Sequence, residues 1–214
     1  MVTDAVTPER ARTESAGDDG IIQVLASGDD WAEIVIWNPD GSQAEMSGNG
    51  TRIAAKWLAA DTGAREVTVR VGPRAVAARM LEDDLVEQDL GEVEVGKPET
   101  VDGISFTTVD VGNPHAVVEG DPSDLPRIGP HLATHERFPR RTNVQVARRV
   151  SDDEIEARVW ERGAGETASS GSSAVAIAAA FGLSPVTVRF PGGLLHVRFE
   201  GTRAFLTGPA KRLD

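Results

Sequence analysis

Two stretches of this chain carry nearly the same pattern, and that repetition limits the folds open to it more than any other feature. Residues 33–59 read EIVIWNPDGSQAEMSGNGTRIAAKWLA and residues 156–181 read EARVWERGAGETASSGSSAVAIAAAF. Trp37 and Ser47 recur as Trp160 and Ser170, each 123 positions further on. After each Ser-Gly comes an apolar-rich helical stretch, and after that the tetrapeptide VTVR, at Val67–Arg70 and Val186–Arg189. Each half then turns (GPR, PGGL) and continues as an alternating strand. Order, spacing and local pattern agree, so the chain reads as two homologous halves.

The local signals follow the repeat. Glu33–Trp37 alternates and reads as a strand, NPDG as a turn, and the Ser-Gly-Asn-Gly loop opens a helix from about Thr51 to Ala60 that stops near Gly63. Val67–Val71, Ala75–Met80 and Leu85–Leu90 read as short strands. The second half predicts strand Ile155–Trp160, helix Ser172–Phe181, and strands Val186–Phe190, Leu194–Phe199 and Ala204–Leu206. Many short strands with one central helix per half predict an α+β fold, two pseudo-symmetric domains whose mostly antiparallel sheets curl around their helices. The expected division is 1–102 and 103–206, with the join in the polar stretch Gly96–Gly103 and a tail, 207–214, returning to the first half. One asymmetry stands out. Gly112 in DVGNPHAVV precedes Trp160 by 48 positions, and the same step before Trp37 falls ahead of Met1. The first half is therefore expected to be short at its N-terminus.

Composition removes whole classes of chemistry. The chain of 214 residues has no cysteine, which excludes a disulfide scaffold, a thiolate zinc site and a thiol nucleophile. Four singly scattered histidines give no metal-binding pattern, so no metal is expected. With 34 acidic against 22 basic residues, a net charge of −12, neither nucleic acid nor an anionic membrane is an expected partner. No apolar run approaches the roughly 20 residues of a membrane span, and no signal segment opens the chain, so a cytoplasmic protein is expected.

The Ser-Gly loops are where chemistry would sit. Backbone N–H groups at a helix N-terminus carry the positive end of the dipole and bind carboxylate or phosphate, and glycine lets a ligand approach the backbone closely. Two such loops at equivalent places in the repeat would clamp one small anion. Glu161, Arg162 and Glu166 flank the second loop, Asn113, Pro114 and His115 follow the strand Thr107–Val111, and Asn143 begins another strand. No phosphate-binding loop, dinucleotide fingerprint or HExxH helix is present.

Taken in order, NPDGSQAEMSGNGTRIAA, VGNPHAVV, THERFPRRTNVQVA and WERGAGETASSGSSA resemble the signature segments of diaminopimelate epimerases, from about residue 17 to the C-terminal LTGPA. The resemblance implies two pseudo-symmetric domains with an active site in the cleft between them. It also implies interconversion of LL- and meso-diaminopimelate in lysine biosynthesis, with no cofactor. One base removes the α-proton from one face and one acid returns a proton to the other. By resemblance Gly48, Asn49, Gly171 and Ser172 hold the substrate carboxylate. Asn38, Asn113, Asn143, Glu161 and Arg162 bind the amino and distal groups, and His115 and Glu161 stand beside the acid–base pair. The partner is a small amino acid, with a homodimer as a candidate assembly.

The departures matter as much. The family places a cysteine where Ser47 and Ser170 stand, and those thiols are its acid and base. The family's N-terminal strand and loop also lie outside this chain, while GDDG at Gly17–Gly20 partly matches its next glycine-rich loop. Several readings stay open. The serines are introduced, or they are native with His115 and Glu161 activating them. Alternatively the chain is a racemase or dehydratase of the wider superfamily, or a pseudoenzyme that binds an amino acid.

Overall fold

A computed structural model describes residues 1–15, 20–44 and 46–210, and the chain divides into two compact units, Met1–Leu90 with Thr207–Asp214, and Gly91–Leu206. Of the GDDG segment, positions 17–19 lie outside the described residues.

The first unit contains α1 (Pro8–Glu14), β1 (Ile21–Ser27), β2 (Trp31–Trp37), β3 (Gln43–Ala44), α2 (Gly48–Thr62), β4 (Glu66–Val71) and β5 (Arg74–Met80), and ends in β6 (Leu85–Glu92). Its strand order is β1-β2-β4-β5-β6, with β3 on β2, and only β2–β4 is parallel among the pairs registered from β1 to β6. Helix α2 lies against β1, β2, β4 and β5. Its Ala54, Ala55 and Leu58 share a core with Ile34, Ile36, Val67, Val69 and Val71.

The second unit contains β7 (Glu94–Val101), β8 (Ile104–Asp110), β9 (Pro114–Glu119), a 3₁₀ turn at Pro122–Asp124 and α3 (Leu125–Ala133). There follow β10 (Asn143–Arg149), β11 (Glu154–Glu161), β12 (Gly165–Thr167), α4 (Gly171–Phe181), β13 (Val186–Phe190), β14 (Gly193–Glu200) and β15 (Arg203–Pro209). The order is β15-β14-β13-β11-β10-β9-β8-β7, with β12 on β11 and parallel pairs at β9–β10 and β11–β13. Helix α4 touches β8, β9, β10, β13 and β14, strands from widely separated places in that order, so the sheet curls around it. A run of eight residues, Gly171 to Ala178, is buried without a break, as a helix surrounded by sheet requires.

The repeat is reproduced down to strand register. Ile21 faces Trp37 as Val144 faces Trp160, and Trp37 faces Gln43 as Trp160 faces Glu166. Trp31 faces Thr68 as Glu154 faces Thr187, and Val67 faces Ala78 as Val186 faces Val197. Ahead of the central helix the two halves are 123 positions apart, and from VTVR onward 119, because α2 has 15 residues and α4 has 11. Four residues are about one helical turn, so the shortening leaves the flanking strands in phase. Both central helices stop at a left-handed glycine, Gly63 (φ 78°) and Gly182 (φ 64°).

The α+β architecture expected from the repeat is present, and the structure adds detail to it. Each unit carries a second helix, α1 or α3, in addition to the central one. Helix α3 holds Pro126, Gly129 and Pro130, which read as breakers, yet Leu125, Ile128 and Leu132 line one face and bury against Val144 and Val146 of β10. The polar stretch Gly96–Gly103, expected as the join, is mostly strand β7, paired with β8 across a bulge. The first unit ends at Leu90. The chain re-enters it inside β15, where the Ala210 N–H donates to the Asp84 carbonyl at 3.0 Å and Ala210 joins the α2 core. Among the described residues no helix is long and apolar enough to cross a membrane.

Candidate active site

The two central helices begin alike. Ser47 and Ser170 are their N-caps, with nearly the same extended backbone (φ −141°, ψ 117° and φ −144°, ψ 124°). A helix leaves its first N–H groups without partners inside the helix, and here those groups belong to Gly48, Asn49, Gly171 and Ser172.

Their side chains differ. The Ser47 hydroxyl accepts from the Gly50 N–H at 3.0 Å, an ordinary cap. The Ser170 hydroxyl, almost fully buried, makes no cap bond and donates to Glu161 Oε2 at 3.0 Å. The other carboxylate oxygen, Oε1, accepts from the Thr167 hydroxyl at 2.6 Å. The β11–β12 hairpin makes this possible: Glu161 faces Gly165 across it, so Thr167 and Ser170 come back toward the end of β11. By the 123-residue offset the position of Glu161 is taken in the first unit by Asn38, and that of Thr167 by Ala44. Asn38 sits in the NPDG turn and donates its amide to Ser42 Oγ at 3.0 Å.

A second polar cluster lies under the α4 N-terminus. On β10 the side chains alternate, with Val144 and Val146 in the α3 core and Gln145 on the face that meets α4. Gln145 Nε2 donates to Ser173 Oγ at 3.0 Å and to His115 Nδ1 at 2.9 Å. The other ring nitrogen, Nε2, then carries the proton and donates to Asn113 Oδ1 at 2.9 Å. Asn113 Nδ2 in turn reaches Ser172 Oγ at 3.5 Å.

His115 is 1 % exposed, and burial first, with the nearby charge of Arg162, pushes its pKa down to about 3. It is a neutral imidazole with both nitrogens engaged. Through Nε2 its ring holds Asn113 in position.

Asn143 is buried too, and its side chain is a staple. Nδ2 donates to the Pro114 carbonyl at 3.0 Å and Oδ1 accepts from the Arg162 N–H at 2.9 Å, tying β9 to the end of β11. The Arg162 guanidinium donates to the Arg140 carbonyl at 3.4 Å, and Glu166 pairs with Arg158 at 2.6 Å.

In the second unit, then, Asn113, His115, Asn143, Glu161, Arg162, Ser170, Gly171 and Ser172 are drawn together around one helix end. In the first unit Ser47, Gly48 and Asn49 head α2, and Asn38 follows β2. Sequence reasoning passed over Thr167, Gln145, Arg52 and Gln88. A lone glutamine in the apolar strand NVQVA was the available signal for Gln145. Among the described residues no group of three or more His, Asp or Glu is placed to hold a metal ion.

Solved structures of similar shape include one described as a "Predicted Epimerase" from Pseudomonas aeruginosa, with a TM-score of 0.81 at 17 % identity, covering 100 % of this chain and 90 % of that one. A hydroxyproline epimerase from Agrobacterium vitis with bound trans-4-hydroxy-L-proline gives 0.71 at 16 % identity, covering 90 % and 73 %. At such identities the likeness speaks for the fold, and the fold is the doubled α+β arrangement of these epimerases.

The sequence comparison narrows the class. A family model for diaminopimelate epimerase matches residues 3–100 and 107–213. The diaminopimelate epimerase of Pelotomaculum thermopropionicum is 34 % identical over 231 residues, 92 % of this chain and 82 % of that protein. The chain belongs to the diaminopimelate epimerase family.

Proposed function

We propose that this chain interconverts LL- and meso-diaminopimelate by moving the α-proton, without pyridoxal phosphate or a metal ion. The observation that carries this reading is the Ser170–Glu161 hydrogen bond at the head of α4. A serine hydroxyl is too weak an acid to serve as a base unless a neighbour takes its proton. Glu161 Oε2 is that neighbour. As Ser170 Oγ takes the α-proton, its own proton passes to Glu161, whose other oxygen stays fixed by Thr167.

The electron pair left on carbon spreads into the substrate carboxylate. N–H groups at the head of α4, on Gly171 and Ser172, supply donors where that charge grows, and those at the head of α2, on Gly48 and Asn49, are of the same kind. Ser47 Oγ gives its own proton to the other face of the carbon, and exchange with water afterwards removes the proton from Glu161 and restores the one on Ser47. Asn113 is held by His115 as a substrate contact, Asn38 is a further one, and Asn143 acts by fixing the backbone of Arg162.

A second reading, a chain that binds the amino acid without inverting it, is favoured by the first unit. There the Ser47 hydroxyl is spent on its own cap and an amide, Asn38, stands at the position equivalent to Glu161. Proton exchange separates the two. Exchange of the α-proton of diaminopimelate in heavy water, followed by NMR, supports the epimerase reading. Binding without exchange supports the silent one, and absence of both removes diaminopimelate as the substrate.

A further inference from the structure

Arg52 lies one turn into α2, 5 % exposed, in a chain where acidic residues outnumber basic ones by 34 to 22. Surface arginines here find carboxylates, as Arg137 does with Glu99 and Arg189 with Glu154. Arg52 makes its hydrogen bonds to neutral oxygens instead. Nε donates to the Pro209 carbonyl at 2.9 Å, Nη1 to the Gly48 carbonyl at 3.4 Å and Nη2 to Asn49 Oδ1 at 3.0 Å. Burial pushes its pKa down to about 10, which still leaves it charged at neutral pH.

A guanidinium can only donate. The branch of the Asn49 amide that faces it is therefore the oxygen, and the nitrogen occupies the opposite branch of the same planar group. The surroundings hold this turn firmly. Gln88, fully buried on β6, bonds Thr51 Oγ1 at 2.7 Å. In the amide orientation that satisfies both of its ends it also donates to the Gly48 carbonyl at 2.8 Å and accepts from the Arg52 N–H at 3.0 Å.

We propose that Arg52 is a positioning residue: anchored on the Pro209 carbonyl of the returning tail, it turns the Asn49 side chain so that a substrate carboxylate at the head of α2 meets a nitrogen donor and not an oxygen. Without the guanidinium, a half-turn of the amide would set its oxygen against the carboxylate. This rests on the reading of Ser47–Asn49 as a carboxylate site, and extends it to a residue that touches no substrate.

The test is a double-mutant cycle on the full chain, with LL-diaminopimelate binding followed by calorimetry. R52M and N49A are each expected to weaken binding about tenfold, and the double variant no more than the weaker-binding single, because Arg52 acts through Asn49. R52K is expected to restore thermal stability without restoring affinity, since one ammonium cannot span the three acceptors. Additive losses, or full affinity in R52M, overturn the proposal. A ligand-free arm keeps it separate from the substrate assignment. N49D places a carboxylate against Arg52 and is expected to raise the melting temperature more in the parent chain than in the R52M background, where only the helix dipole acts on it. If the parent chain binds no diaminopimelate, the substrate reading fails by itself. The melting cycle then decides the inference: coupling supports the Arg52–Asn49 link, and its absence overturns it.

Discussion

The Ser170 hydroxyl donates to Glu161, whereas the equivalent Ser47 accepts from the backbone of its own helix. The two halves thus share a backbone position but not a chemical state. The proposed acid–base pair is unequal, and most of its consequences can be measured one residue at a time.

Replacing the carboxylate tests the stronger half. E161Q keeps the size and can still accept from Ser170 or Thr167, but it cannot take up a proton. α-Proton exchange is expected to fall by roughly 10²–10⁴-fold, the usual range for a lost general base, with diaminopimelate affinity nearly unchanged. NMR exchange rates and calorimetry on the same preparation check both halves of the statement.

Restoring sulfur should act in two stages. A thiol ionises near pH 8.5, far below a serine hydroxyl, so S170C is expected to speed exchange from one stereoisomer at pH 8 by at least about tenfold. Inversion needs the second group as well. Adding S47C is expected to bring the inversion rate up toward the exchange rate, read by chiral chromatography of the product. Equal exchange and inversion in S170C alone would contradict the assignment of Ser47.

His115 makes stability depend on pH. In the fold its pKa is near 3 because the ring is buried, while in the unfolded chain it returns to about 6.5. Between those values the unfolded chain binds the extra proton, so stability is complete above pH 6.5 and is lost as pH falls. From pH 6.5 to 5 the loss from this group is at most about 2 kcal/mol. Urea unfolding at the two pH values is expected to show it, and H115Q to flatten that slope.

Gly129 is a packing test. A β-carbon there would stand 2.8 Å from Trp160 Cβ, at the root of a partly buried side chain rather than at a flexible tip. G129A is expected to destabilise the protein by about 1–3 kcal/mol even though alanine favours helix, because α3 must move off β11. A shift in urea midpoint without a change in exchange rate per folded molecule is the expected result.

Much of this architecture was legible in one dimension. The 123-residue offset located both strand-to-helix loops, and Ser47 and Ser170 stand at the two N-caps it indicated. The alternation in Glu33–Trp37 and in VTVR, and the stop at Gly63, were local signals with local causes. Strand β7 was not readable, because Gly96, Lys97 and Pro98 break its pattern and only pairing with β8 makes it a strand. Helix α3 was hidden by its prolines, although a buried face against β10 outweighs them.

At the site the divide is sharper. The sequence by itself determined which residues head the two helices, since N-caps, glycine stops and strand alternation depend on neighbours a few positions away. Tertiary structure alone decided what those residues face. It placed Glu161 against Ser170, closed Gln145 and Asn113 around the His115 ring, and left Arg52 with carbonyls and an amide. Alternation tells which side of a strand a polar group occupies, but not what covers that side. Protonation and hydrogen-bond roles are set by that cover, through desolvation and the partners it supplies.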